Sequence, residues 1–586
     1  MLKKFAFGDH EETDLVAILF GSKSGTRLSS SVRSITSSLT PDIDPKFKDN
    51  LLAVFRNEIL DSKLRDKLIL KVSPEYMTDY LSENYNFQPT THTNTEFHRF
   101  QYLGQVSEMI GMNVPSASRH HIGMSTIILH SGLSDSLGGI PVAPTNISPE
   151  ATLTSYRDRI DHYPQPDLEN QKLWQSVNLS MIRNVKKNIA RRESTTVDKL
   201  DFSKLFSPLT VDEIRVEANR KGGAGYLECN RMTDYLDSPH LAEMLDTYEQ
   251  NLRRMHPSTQ AMNYRPKFET KKPGSKLTAS NPRIIMHADI LFRLLALKYV
   301  GRLWSVIRSD HSILPFMAPP VGQLGMGNFM MKSWNKFHSC STSYISTQPA
   351  AICDDIKSWD TKCTAFYLTY EYEFFKSLLP HATDFLSSYY ASWMIQFSLL
   401  PGGYAFQSAG FRGSGMYVTY LGNSYMNGLL LNTKYIKSGI TCHPPISSPR
   451  DNSARKADLD RMRVSGTAVY SPGCYSPELV ASAVDNLFSE DSVVNTNLSG
   501  DDSVAITNTY RAKLIANTSS HNEDSGFILK NLNLGDSSVL ITDPKKIDFC
   551  SNRYVQLKGR GNSSGYNLVF PIRNPARQLS TLLYDL

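Results

Sequence analysis

The stretch "NLSGDDSVAIT" (497–507) sets Asp501 beside Asp502, just after Gly500 and ahead of a small, β-prone run. A glycine between two short segments of this kind predicts a strand–turn–strand hairpin. Adjacent carboxylates repel, and either bulk water or a divalent cation must offset that repulsion. On this stretch alone a solvated hairpin turn and a metal site are both open.

The chain has 586 residues, of which 40% are hydrophobic and 20% charged. That is an ordinary globular composition, with enough chain for more than one core. A net charge of +6 and a pI near 8.7 permit a polyanionic partner. The seven cysteines, Cys229, Cys340, Cys353, Cys363, Cys442, Cys474 and Cys550, include no CxxC pair and no Cys/His set at zinc spacing. They read as reduced thiols in a cytosolic setting, which argues against a disulfide scaffold or a zinc module. No apolar run reaches the roughly 18–20 residues of a membrane span. The opening "MLKKFAFGDHEETD" turns acidic before a signal-peptide core can form.

Along the chain, 28–50 is rich in Ser, Thr and Pro and reads as a loop or arm. Apolar spacing predicts helices over 50–72 and 97–112, with a loop at 130–151. A helix over 171–192 carries Arg183, Lys186, Lys187 and Arg191 on one face, either solvated or in contact with RNA. A long helix is predicted over 284–306, a buried strand ending in acids at 350–355, and a helix over 363–378. Another helix spans 414–436, introduced by the Gly-rich "PGGYAFQSAGFRGSG". Residues 442–477 read as a polar surface insertion. A helix (477–489), the hairpin, a further helix (508–520) and a β-rich end follow. The "AILFGSKSGT" stretch (17–26) fails the phosphate-loop spacing, because its lysine precedes the second glycine.

A second acidic pair decides between the readings of the hairpin. In "CDDIKSWDTK" (353–362), Asp355 ends the predicted strand and Asp360 lies on the turn that follows. Strands carrying Asp355 and Asp501 side by side would bring both acids to one edge, and a shared carboxylate cluster is what two closely spaced metal ions require. Between the pairs, "GSGMYVTYLGNSYMN" (413–427) holds Ser414, Gly415, Thr419, Asn423, Ser424 and Asn427. Thr419, Asn423 and Asn427 recur one helical turn apart, lining a helix face behind a flexible loop.

The order D-x4-D, S-G-x3-T-x3-N-S-x2-N, G-D-D resembles motifs A, B and C of viral RNA-dependent RNA polymerases. The resemblance implies an α+β right-hand polymerase of fingers, palm and thumb, with an antiparallel palm sheet backed by helices. It implies that Asp355, Asp501 and Asp502 hold two Mg²⁺ ions, with Mn²⁺ an alternative. Asp360 and Asn423 would read the ribose 2′-hydroxyl, a group that both donates and accepts. Ser414 and Gly415 would form the mobile loop at the template base, and Thr419 would support Asp360 or Asn423. "RPKFETKKPGSKLTASNPRIIM" (265–286) is similar to motif F: Lys271, Lys272, Lys276 and Arg283 would line the nucleotide entry channel, a solvated basic loop being the plainer alternative. "NRKGGAGY" (219–226) resembles a Gly-rich fingers segment of double-stranded-RNA virus polymerases. Lys530 stands where motif D holds its lysine, and an ordinary exposed lysine is equally open. "DFCSNRYV" (548–555) looks like motif E, with Cys550 a packed residue rather than a nucleophile.

The implied division is an N-terminal extension with part of the fingers (1–215), fingers (216–344), palm with a fingers insertion and the 442–477 loop (345–545), and a palm–thumb hairpin with a small thumb (546–586). Picobirnavirus, partitivirus and cystovirus types suit the length and the Gly-rich segment, with a plus-strand virus as the alternative. RNA template and product, NTPs and a viral capsid protein are the implied partners, in host cytoplasm or inside the viral particle. Three rivals stand: a reverse transcriptase, against which Asn423 argues; a non-catalytic, capsid-associated RNA-binding protein; and a metal-dependent nuclease.

Overall fold

The computed structural model describes residues 61–71, 75–89, 100–107, 142–144, 149–161, 167, 169–220, 231–267, 270–271, 282–318, 322–339, 341, 347–356, 358–440, 476–489, 492–517, 526–527, 540–550, 552–557 and 568–573. The 17–26 and 28–50 stretches, residues 221–226, Lys272, Lys276, insertion residues 442–475 and Lys530 lie outside them.

Fifteen strands are described. They are β1 (Phe87–Pro89), β2 (Phe100–Val106), β3 (Val142–Pro144), β4 (Ala261–Lys267), β5 (Thr270–Lys271), β6 (Arg283–His287), β7 (Pro349–Asp355), β8 (Ile395–Leu399), β9 (Tyr404–Ala409), β10 (Asn495–Ser499), β11 (Asp502–Asn508), β12 (Leu540–Ile541), β13 (Asp548–Phe549), β14 (Asn552–Leu557) and β15 (Leu568–Arg573). The helices that carry the argument are α1 (Ser62–Leu70), α2 (Pro149–Asp161), α3 (Gln171–Arg192), α4 (Ile290–Ser309), α5 (Gly322–Ser339), α6 (Ala365–Leu378), α7 (Thr383–Met394), α8 (Thr419–Lys437), α9 (Pro477–Leu487) and α10 (Thr509–Asn517).

A four-stranded sheet in the order β10-β11-β7-β12 is antiparallel throughout. Both its faces are buried, and side chains alternate between two cores as a pleated strand demands. On β7, Ala350 and Ile352 join the main core, which includes Leu429 of α8 and Val185 of α3. Ala351, with Val504 and Ile506 of β11, faces Met330, Trp334 and Phe337 of α5. A second sheet of six strands, β1-β2-β9-β8-β4-β6, is mixed, with β4 and β8 its parallel pair. The chain is thus helices around antiparallel and mixed sheets, in keeping with the α+β expectation.

Helix α3 runs over the predicted 171–192. Trp174, Val177, Met181, Val185 and Ile189 are buried at three- and four-residue steps, the stripe that makes an amphipathic helix stable. Its basic face is partly engaged by protein: Arg183 and Lys187 lie 2.7 and 4.0 Å from Asp485 of α9, and Lys186 sits over the Phe202 ring.

Several expectations are corrected. The helix over 97–112 is the strand β2, because Phe100–Val106 pairs with β9. The helix over 284–306 begins only at Ile290; Asp289 caps it, its carboxylate accepting from Leu291 N–H at 2.7 Å. Residues 283–287 instead alternate exposure as the edge strand β6. The loop at 130–151 contains β3 and the start of α2. The Gly-rich lead-in to α8 contains β9, which pairs with the fully buried β8. Residues 414–418 precede α8, which starts at Thr419.

Candidate active site

The hairpin forms as the glycine predicts. Gly500 has φ +66°, and nothing lies within 4 Å of the place where a Cβ would stand, so the demand for glycine is conformational rather than steric. Helix α8 holds the turn. Ser424 Oγ accepts from Gly500 N–H at 3.1 Å, and Asn427 Nδ2 donates to the carbonyls of Gly500 and Asp501 at 3.3 and 3.2 Å. The Tyr420 hydroxyl lies 3.4 Å from Ser499 Oγ. Tyr420, Ser424 and Asn427 are spaced i, i+4, i+7, one stripe of the helix.

The register of β11 on β7 places Asp502 opposite Asp355 and Ser503 opposite Asp354. Asp502 is therefore the strand partner of Asp355, and Asp501 occupies the turn next to it, exposed. Successive strand residues belong to opposite faces, which separates Asp354 from Asp355. Asp354 is buried and meets Lys434 of α8 at 3.3 Å. Lys434 falls one further heptad along the stripe from Asn427.

Asp360 lies in the short helix Trp359–Lys362, entered through Ser358 at φ +54°. Its carboxyl is pushed up by burial and by the negative charge of Asp501, against the pull of Arg159, Arg412 and Arg283. Arg159 of α2 has Nη1 3.9 Å from Asp360 Oδ2. Arg412 donates its backbone N–H to the Asp360 carbonyl at 3.0 Å. Its wholly buried guanidinium is paired with Glu371 through both Nη nitrogens, and Tyr390 donates to Glu371 at 2.6 Å.

Thr419 begins α8 and bonds back to the loop that precedes it. Its hydroxyl donates to the Gly413 carbonyl at 2.8 Å, closing the loop that holds Ser414 and Gly415. A Cβ on Gly415 would stand 1.9 Å from the Met286 carbonyl, so this glycine is where the loop crosses β6. Asn423 is buried, and its carboxamide oxygen has no hydrogen-bond partner among the described residues. Arg283 begins β6, exposed, and Lys271 ends β5 opposite Val142. Cys550 takes φ +52° between β13 and β14; burial, with Asp502 and Asp501 nearby, pushes its thiol up to about 11, which suits a packed residue and not a nucleophile.

Among the described residues, no group of three or more His, Cys, Asp or Glu is placed to hold a metal ion; the side chain of Asp355 lies outside the description. Also among them, Cys353, Cys363 and Cys550 are free thiols, and no helix is long and apolar enough to cross a membrane.

A model of the family described as viral RNA-dependent RNA polymerase matches residues 141–565 of the chain. The chain belongs to that family. Members of that family are RNA-directed RNA polymerases, nucleotidyltransferases, and the family implies RNA template and NTPs as substrates. The genome polyprotein of bovine viral diarrhea virus (strain SD-1) is 22% identical over 355 residues, 57% of this chain. The chain spans only 8% of that polyprotein's length. Neither finding singles out a double-stranded-RNA virus type.

Sequence reasoning did not find Arg159, Asp354 or Lys434 in this polymerase. The step of seven from Asn427 to Lys434 was a readable signal; for Arg159, far upstream in α2, there was none.

Proposed function

We propose that the polymerase copies RNA into complementary RNA at the Gly500–Asp502 turn, with Asp355, Asp501 and Asp502 as the ligands of two Mg²⁺ ions, or Mn²⁺. The observation that best supports this reading is the register of Asp502 with Asp355 beside a turn pinned by Ser424 and Asn427. The donor set is all carboxylate oxygen, the chemistry that hard divalent cations take. Bound there, the ions would lower the pKa of the attacking 3′-hydroxyl and offset the charge of the departing pyrophosphate.

The chain's own residues do the rest. The 3′-oxygen bonds to the α-phosphorus as the bond to pyrophosphate breaks, and Lys530 is assigned as proton donor to that leaving group. Asp360 and Asn423 read the ribose 2′-hydroxyl; the unpaired Asn423 oxygen is an acceptor ready for it. Ser414 and Gly415 meet the template base. Lys271, Lys276 and Arg283 guide the triphosphate.

The same proposal assigns 345–545 to a palm, with fingers from 216–344 and part of 1–215, and a small thumb in 546–586. It is favoured by β8 and β9, which leave the palm range to join strands from 87–106 and 261–287. The test is labelled-nucleotide incorporation on single-stranded RNA with Mg²⁺ or Mn²⁺, unprimed and with an annealed primer. Template-length product under either condition supports the reading; none under both contradicts it.

A further inference from the structure

Helix α2 is bolted to the sheet that borders the site. Leu153 and Tyr156 are buried. The Tyr156 hydroxyl donates to Ser408 Oγ of β9 at 3.1 Å, and Ser155 Oγ donates to the Pro282 carbonyl, next to Arg283, at 2.6 Å. Arg159 follows Ser155 and Tyr156 by one helical turn, so it stands on the same side of a fixed helix. Its guanidinium approaches Asp360 to 3.9 Å, with 18% and 20% of the two side chains exposed.

That distance is too long for a direct hydrogen bond and short enough for a partly desolvated charge pair. A two-point Arg–carboxylate grip would occupy the oxygens of Asp360. The observed spacing restrains the carboxylate by charge and leaves its oxygens open to a ligand hydroxyl. Its positive charge also opposes the like charge that Asp501 exerts on Asp360.

We propose that Arg159 is a positioning residue for sugar selection, holding Asp360 where it meets the 2′-hydroxyl of the incoming nucleotide. The proposal rests on the reading of Asp360 as a reader of that hydroxyl. Arg159 does not touch the reacting atoms. Its effect appears in discrimination between NTP and dNTP, through kcat/KM for the ribonucleotide.

The experiment measures single-nucleotide kcat/KM for NTP and the matching dNTP on a primed RNA template, in wild type, Arg159→Gln, Arg159→Lys, Asp360→Ala and the Arg159→Gln/Asp360→Ala double variant. The expected result is a fall of about tenfold or more in the NTP/dNTP ratio for Arg159→Gln, partial recovery in Arg159→Lys, and a double variant no worse than Asp360→Ala alone. Recovery in the lysine variant separates positioning from simple misfolding. An unchanged ratio in Asp360→Ala overturns the reading of Asp360 and the proposal with it. A ratio lowered by Asp360→Ala but untouched by Arg159→Gln overturns the proposal alone. So does a double variant whose losses multiply, because Arg159 would then act independently of Asp360.

Discussion

Lys434 of helix α8 meets Asp354 of strand β7 at 3.3 Å, and both side chains are almost wholly buried. The pair lies behind the register point where Asp355 opposes Asp502, so it ties the helix that holds the Gly500–Asp502 turn to the strand beside it. A lone buried charge is costly. Lys434→Met should therefore destabilise the fold by about 3–5 kcal/mol, and adding Asp354→Asn should recover much of that loss. Urea unfolding of both variants checks it. A double variant as unstable as the single one would mean that Lys434 acts through packing and not through Asp354.

The crossing of the Ser414–Gly415 loop over β6 gives a second prediction. Gly415→Ala would press a methyl group onto the backbone carbonyl of Met286, which cannot rotate aside. The loop must shift, at a strain of about 1–3 kcal/mol, and incorporation should slow by roughly tenfold. Ser414→Ala, at an exposed position, should keep the loop in place. Equal rates for Gly415→Ala and wild type would show that the loop does not need this contact.

His287, the last residue of β6, sets a pH dependence. Burial, then the charges of Arg265 and Arg293, push it down from its ordinary 6.5 to about 4. Below pH 6.5 the unfolded chain takes up a proton that the folded chain refuses until about pH 4. The stability contribution is thus full above pH 6.5 and is lost as pH falls toward 4. His287→Asn should flatten that part of the stability profile, as read by thermal melting at stepped pH. A profile of unchanged shape would contradict the assignment.

What the sequence made legible follows from local physics. The stripe of α3 from Trp174 to Ile189 is a 3.6-residue period, and Gly500 with its flanking β-prone runs specifies a hairpin by itself. Motifs A, B and C were readable because their chemistry needs particular residues at short spacing. Strand β2 was not, because what makes it a strand is pairing with β9 across about three hundred residues of chain, and the β8–β9 hairpin is itself held by pairing with the distant β4. The choice of Asp502 over Asp501 as the partner of Asp355 is a matter of register, which one residue of slip would change. Arg159 reaches Asp360 only through the docking of α2 on β6 and β9, a relation with no local trace.

Under the proposed function, the carboxylates around the Gly500–Asp502 turn supply turnover and not RNA affinity. The most direct test compares wild type with Asp501→Ala in primed single-nucleotide incorporation with Mg²⁺, beside RNA binding by the same preparations. The expected result is a rate lower by on the order of a thousandfold, with RNA affinity kept. Wild-type incorporation by Asp501→Ala would contradict it.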